Sequence, residues 1–152
     1  MPSQSMKLYL DLCCFNRPFD DQSQLLVRLQ TEAKLAVQES IRRRSYTLIW
    51  SAILDLENAD NPDLERKTAI AAWKSLSEVD VEATVEVEDL ATSFAGNGLK
   101  PMDALHMASA IEGGAACFLT TDKQLLRRMK SNVRIQVLDP VEFIRIMEAT
   151  DE

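Results

Sequence analysis

Met6-Lys7-Leu8-Tyr9-Leu10-Asp11-Leu12-Cys13-Cys14-Phe15-Asn16-Arg17-Pro18-Phe19-Asp20-Asp21 is the stretch whose reading decides the fold. Met6 to Leu10 is short and apolar and stops at an acid, as a strand running through a covered sheet would. In open parallel α/β sheets, ligands sit outside the carboxyl ends of the strands, which is where Asp11 would emerge. A lone Asp at such a point is also an ordinary loop residue. Glu57, Asp103 and Asp122 occupy similar positions further along, so the question is whether the four acids converge.

The rest of the chain alternates in the way a parallel sheet requires. Asp20 or Asp21 caps a helix running to about Arg44, with Leu25, Leu29, Ala33, Ala36, Val37 and Ile41 at helical spacing. Arg42-Arg43-Arg44 closes it, which suits a helix C-terminus as well as a phosphate, with the solvated helix end the favoured reading. Tyr46 to Trp50 reads as a second strand, and Ser51 caps a helix that Asn61-Pro62 stops. Asp63 to Leu76 is a further helix, with Trp73 in the core rather than offered as a base-stacking platform.

Alternation through Val81, Ala83, Val85 and Val87 allows a strand, followed by a helix from about Glu88 to Ala95 and a turn at Gly96-Asn97-Gly98. The acids from Glu78 to Asp89 read as a solvated surface. Pro101 opens a helix that ends at Gly113-Gly114, Ala115 to Thr121 is an inner strand, and Asp122 begins a short helix. Ile135 to Leu138 is a last strand and Pro140 starts a C-terminal helix. The expected fold class is α/β, with a mainly parallel twisted β-sheet and helices on both faces. A single domain over residues 1–152, with its core at about 6–145, is expected.

Composition bounds the function. With 46% hydrophobic and 27% charged residues, the 152-residue chain has an ordinary globular mixture. No apolar run approaches the roughly 18 residues of a membrane span, and no basic-then-apolar leader opens the chain, so no membrane partner and a cytoplasmic location are expected. Cys13, Cys14 and Cys117 form neither a CxxC pair nor a zinc-ligand spacing. A net charge of −7 argues against broad coating of nucleic acid, yet acids gathered around a cation contribute to such a total.

Glu57 is the most informative of the four acids. At about 100° per residue it lies about 40° from Ile53 and about 60° from Leu54, inside the apolar stripe, while Asp55 points away. A carboxylate facing a core is costly unless it is paired or holds a metal, although a Glu at a helix rim also reaches water. Asp103 follows Lys100 at a position where an acid favours the helix dipole, and it also aligns with Met107 and Ala110. Asp122 suits an N-cap, a role compatible with metal contact. Gathered at one sheet edge, these acids would raise one another's pKa values unless a divalent cation neutralised them; Mg2+ or Mn2+ fits oxygen ligands at phosphate chemistry.

Asp11 through Asp21, Glu57 with Asn61-Pro62 behind it, Asp103-Ala104-Leu105-His106-Met107-Ala108-Ser109-Ala110, and Thr120-Thr121-Asp122 together resemble a PIN domain. The likeness is nearest to small stand-alone proteins of the VapC-type toxin group. It implies a Mg2+- or Mn2+-dependent endoribonuclease, with Asp11, Glu57, Asp103 and Asp122 as the catalytic and metal-binding acids. It also implies a single-stranded RNA substrate, a small antitoxin partner and a homodimer. In-line attack by water would leave 5′-phosphate and 3′-hydroxyl ends.

Asn16 matches a polar position after the first acid in this group, and Arg17 beside it is a candidate phosphate contact. Lys123, Arg127, Arg128, Lys130 and Arg134 form an acid-free basic run that reads equally as a solvated helix face or as a grip on RNA. Thr121 suits a bond to a carboxylate or water, or local backbone work. His106, the only histidine, sits one turn beyond Asp103 toward the polar side and is expected to be a hydrogen-bonded structural residue. The rival to the nuclease is a non-catalytic PIN-like module that binds RNA or protein. A phosphatase or response-regulator-like protein is a second rival, weakened by the lack of a DxD pair after the first strand.

Overall fold

The structure, a computed structural model, describes residues 5–15, 23–132 and 134–150. Five strands form one all-parallel sheet: β1 (Met6–Leu10), β2 (Tyr46–Ser51), β3 (Val79–Val81), β4 (Cys117–Leu119) and β5 (Gln136–Leu138), in the spatial order 3-2-1-4-5. The central strands are covered on both faces. Leu8, Tyr9 and Leu10 of β1, Leu48, Ile49 and Trp50 of β2, and Phe118 of β4 are all buried, as continuous apolar runs in a parallel sheet require.

The helices are α1 (Leu12–Phe15), α2 (Leu25–Arg42), α3 (Ala52–Ala59), α4 (Leu64–Ala71), α5 (Val85–Gly96), α6 (Pro101–Glu112), α7 (Lys123–Arg128) and α8 (Pro140–Thr150). A 3-10 turn, Ala72–Leu76, extends α4. α5 packs along α6 and α2 along α8. Trp73 is buried, with Phe15 at 6.0 Å between ring centroids and the Arg42 guanidinium 4.6 Å from its ring centroid. Arg43 and Arg44 bond Glu39 and Glu78, so the arginine triplet is occupied at the sheet edge where the strands begin.

Two expectations are corrected. Val85 and Val87 begin α5 instead of continuing a strand, because Thr84 Oγ1 accepts a hydrogen bond from Val87 N at 3.3 Å. Glu86 and Glu88 then favour the positive end of the helix. On α2 the inner face is not the expected apolar stripe: Ala33, Val37 and Ile41 are buried, but Leu25 (62%), Leu29 (49%) and Ala36 are exposed.

The reason lies at the end of α1, whose carbonyls need donors. Buried Lys34 donates to Cys13 O at 3.0 Å and buried Gln38 to Cys14 O at 3.2 Å, so polar residues take the inward positions of α2. The expected cap at Asp20 or Asp21 lies outside the described residues.

Strand order positions the site. β1 leads outward to β2 and β3, and the chain then returns to lay β4 on the other side of β1. Connections therefore diverge between β1 and β4, leaving a crevice at their carboxyl ends. Asp11 follows β1 and Asp122 follows β4, with the register Leu10↔Leu119 bringing the two segments side by side.

Candidate functional site

Asp11, Glu57, Asp103 and Asp122 line one open pocket of about 450 Å3 in that crevice, together with Leu12, Cys13 and Thr121. Each acid arrives on a separate segment: Asp11 between β1 and α1, Glu57 on α3, Asp103 in the first turn of α6, and Asp122 at the N-cap of α7. The turn of α3 separates Glu57 from its neighbour. Asp55 faces outward and bonds Trp50 Nε1 at 2.9 Å and Lys74 Nζ at 3.0 Å, while Ile53 and Leu54 are buried beside Glu57's face.

Asp11 is held from two sides. Its Oδ1 accepts from Leu12 N and its Oδ2 from Thr120 Oγ1, both at 2.8 Å. Thr120 is fully buried and also accepts from Asp122 N at 3.1 Å, so one hydroxyl ties the β1 and β4 ends together.

Glu57 is held by His106, whose Nε2 lies 2.9 Å from Glu57 Oε1 and whose Nδ1 lies 2.6 Å from Tyr9 Oη. Tyr9 Oη in turn lies 2.7 Å from Ser51 Oγ, which accepts from Leu54 N at the start of α3. Since a carboxylate only accepts, His106 donates its Nε2–H to Glu57, and with the proton on Nε2 its Nδ1 accepts a hydrogen bond from the Tyr9 hydroxyl. His106 is buried (1% exposed), not displaced to the polar side. Its bonding to Tyr9 and Glu57 matches the hydrogen-bonded part of the expectation.

Burial pushes the Asp11 carboxyl above the usual carboxylate range, against the pull of His106 and of the Thr120 hydrogen bond. Burial also raises Asp103, reinforced by repulsion from Asp11 and Asp122 and partly offset by His106 and Lys100. Asp122 Oδ1 caps α7 by accepting from Gln124 N at 2.9 Å and Leu125 N at 3.1 Å.

The donor set suits a divalent cation. Donor atoms of Asp11, Glu57 and His106 all lie within 4.8 Å of one another; with both His106 nitrogens engaged by Glu57 and Tyr9, the carboxylates are the groups left to face a cation, and Asp103 and Asp122 add oxygens across the pocket. Of the residues singled out as substrate contacts, Thr121 lines the pocket but donates its hydroxyl to Cys13 Sγ at 3.3 Å. Lys123 and Arg127 are exposed on α7 and do not line this pocket. Asn16 and Arg17 lie outside the described residues. A larger cavity of about 520 Å3 runs beside edge strand β5 and carries no carboxylate.

The site roles of Tyr9 and Thr120 escaped the reading of the sequence, while Ser51 is the helix cap that was expected. Tyr9 had a signal, since residues i and i+2 of a strand share a face and Tyr9 precedes Asp11 by two. Thr120 had none without the β1–β4 register.

An α/β fold with an acid-lined crevice at its topological switch point is therefore in place. The chain belongs to the PIN domain family, whose sequence pattern matches residues 26–131. That match takes in Glu57, Asp103 and Asp122 but not β1 or Asp11. No individual curated protein matches the chain.

Among solved structures, FitAcB from Neisseria gonorrhoeae is similar at 16% identity and TM-score 0.56, over 88% of this chain and 97% of that one. VapBC2 from Rickettsia felis bound to a DNA fragment from their promoter is similar at 16% identity and TM-score 0.57, over 88% and 98%. DNA-bound VapBC from Salmonella typhimurium is similar at 15% identity and TM-score 0.53, over 89% and 98%. At these identities the likeness is one of fold.

Proposed function

We propose that this PIN domain is a Mg2+- or Mn2+-dependent endoribonuclease that cuts single-stranded RNA and serves as the toxin of a toxin–antitoxin pair. The observation that carries the reading is the convergence of Asp11, Glu57, Asp103 and Asp122, from four chain segments, on one pocket of about 450 Å3. Two of these carboxyls, Asp11 and Asp103, are pushed upward by burial, so the cluster favours an added positive charge. A divalent cation held by these carboxylates would supply that charge, lower the pKa of water and offset charge on the leaving oxygen.

The chain's own residues hold and aim. Asp11, Glu57, Asp103 and Asp122 are the proposed ligands, with Asp122 acting directly or through water. Thr120 fixes the Asp11 carboxylate, and His106, itself bonded to Tyr9, fixes Glu57. Neither support needs to touch the substrate.

A protein partner has support on the chain as well. Leu25, Leu26 and Leu29 leave an apolar stripe exposed on α2, as a surface awaiting an antitoxin or a second copy would. Among the described residues no helix is long and apolar enough to cross a membrane. An RNA substrate would be met in the cytoplasm.

End-labelled single-stranded RNA incubated with the purified chain tests the reading. Cleavage should require Mg2+ or Mn2+, stop with EDTA, and leave 5′-phosphate and 3′-hydroxyl ends. Cleavage that persists in EDTA, or 2′,3′-cyclic phosphate ends, contradicts it. RNA binding without any cutting would favour the non-catalytic module.

A further inference from the structure

Beside the acid pocket, and sharing Asp103 as a wall with it, lies a second pocket of about 190 Å3. Its other polar walls are Lys100, Gln124 and Arg128, with Gly98 closing one side. We propose that this pocket is a phosphate subsite that grips the RNA backbone at a phosphodiester neighbouring the one cut. The proposal rests on the nuclease reading and adds the residues that hold the strand.

Charge is the first reason. In a chain of net charge −7, several surface cations are taken up by acids: Arg43 by Glu39, Arg44 by Glu78, Lys74 by Asp55 and Arg145 by Glu142. Lys100 and Arg128 form no ion pair among the described residues, yet both line the pocket next to the acids. Two cations lining one pocket beside the acid cluster suit a backbone phosphate.

Shape is the second. Gln124 and Arg128 are four apart on α7, so they share a face, and the helix is anchored by Asp122 of the acid pocket. The Arg128 guanidinium lies so close to Gly98 that a Cβ there would meet Nη1 at 2.6 Å. Gly98 has φ +102°, a conformation glycine adopts freely, and its bare backbone lets the guanidinium in. A volume of about 190 Å3 admits a phosphate group with some of its waters, each water taking about 30 Å3.

The shared wall orders the two pockets. Asp103 beside a phosphate would repel it unless a cation held by the acid pocket offset its charge, so the two pockets would fill together. A strand crossing Asp103 would then present one linkage to the acids and the next to Lys100 and Arg128. Of the basic residues of the 123–134 run, Arg128 is the one that lines this pocket, while Lys123 and Arg127 do not.

The experiment measures binding of fluorescein-labelled single-stranded RNA by anisotropy across a salt series, with Ca2+ replacing Mg2+ and RNA integrity checked on a gel. Arg128→Gln and Lys100→Gln should each weaken binding about five- to tenfold and reduce the slope of log K against log salt by about 0.7. Arg43→Gln, at the opposite sheet edge, should leave both unchanged. Gly98→Ala keeps every charge yet displaces the guanidinium, so it should weaken binding in the same direction; thermal melting checks that it folds. Mn2+ affinity, read by electron paramagnetic resonance, should be the same in Arg128→Gln as in the wild type.

If the wild type binds and cuts RNA while Arg128→Gln and Lys100→Gln keep its affinity and slope, the subsite is overturned and the nuclease reading stands. If inorganic phosphate binds through Lys100 and Arg128 but the RNA slope does not change in the variants, the site takes free anion, and the RNA assignment is overturned. A wild type that neither binds nor cuts RNA overturns both.

Discussion

The inner and outer halves of the acid pocket are built differently. Asp11 and Glu57 are pinned by buried side chains from other segments: Thr120, which also accepts from Asp122 N, for the first, and the pair His106 and Tyr9 for the second. Asp103 and Asp122 stand at helix starts, where each also serves its helix, Asp122 by accepting two backbone N–H bonds and Asp103 by its place in the first turn of α6. The inner acids are thus explained by the site more fully than by the fold, whereas the outer pair would suit a protein with no chemistry at all. The contrast predicts that the inner half sets cation binding and the outer half tunes it.

Asp11→Asn should break the comparison most sharply if it is wrong. Losing several kcal/mol of charge stabilisation would cut metal-dependent RNA cleavage on the order of 10^3-fold, read as single-turnover rate. The same variant should melt higher than the wild type when metal is absent, because it removes a buried carboxylate held above its ordinary pKa.

That gain has a definite pH dependence. Between the unfolded carboxylate value and the raised folded one, the native state binds more protons, so wild-type stability falls as pH rises through that window. The melting difference between Asp11→Asn and wild type should therefore vanish on acidification below it and be full above it. Saturating Mn2+, which binds the ionised carboxylate, should reverse the order of the two proteins. Melting curves over a pH series, with and without Mn2+, check both statements.

His106→Ala comes next. Removing the group that aims Glu57 should weaken Mn2+ binding about 10- to 100-fold, with Tyr9→Phe giving a smaller loss in the same direction. A titration that finds wild-type Mn2+ affinity in His106→Ala would return that residue to a purely structural role. The smallest effects are expected at Asp122. Asn is as good an N-cap as Asp, so Asp122→Asn should leave the melting temperature nearly unchanged while lowering Mn2+ affinity by less than Asp11→Asn does. Asp122→Ala should in addition cost about 1 kcal/mol of stability by chemical denaturation.

Legibility followed the same division. Apolar runs ending at Asp11 and near Asp122 announced strands of a covered sheet, and helical angle alone turned Glu57 inward and Asp55 outward. Those are local properties, fixed by the period of one element. What the sequence hid depends on pairs far apart in the chain. Thr120 reaches Asp11 only because β4 lies beside β1, and His106 meets Tyr9 across 97 positions.

The α2 stripe misled for a related reason, since Lys34 and Gln38 turn inward to serve carbonyls of a different helix. At Val85 the error was one of competing local signals, where a Thr cap with acids in the following turn outweighed a valine alternation.

The measurement that tests the central claim most directly is a crystal structure of the chain grown with saturating Mn2+ and recorded at the manganese absorption edge. An anomalous peak within ligand distance of Asp11 and Glu57, and bordered by Asp103, is the result expected. Well-ordered carboxylates around a pocket without such a peak, or a peak held by other residues, would contradict the account.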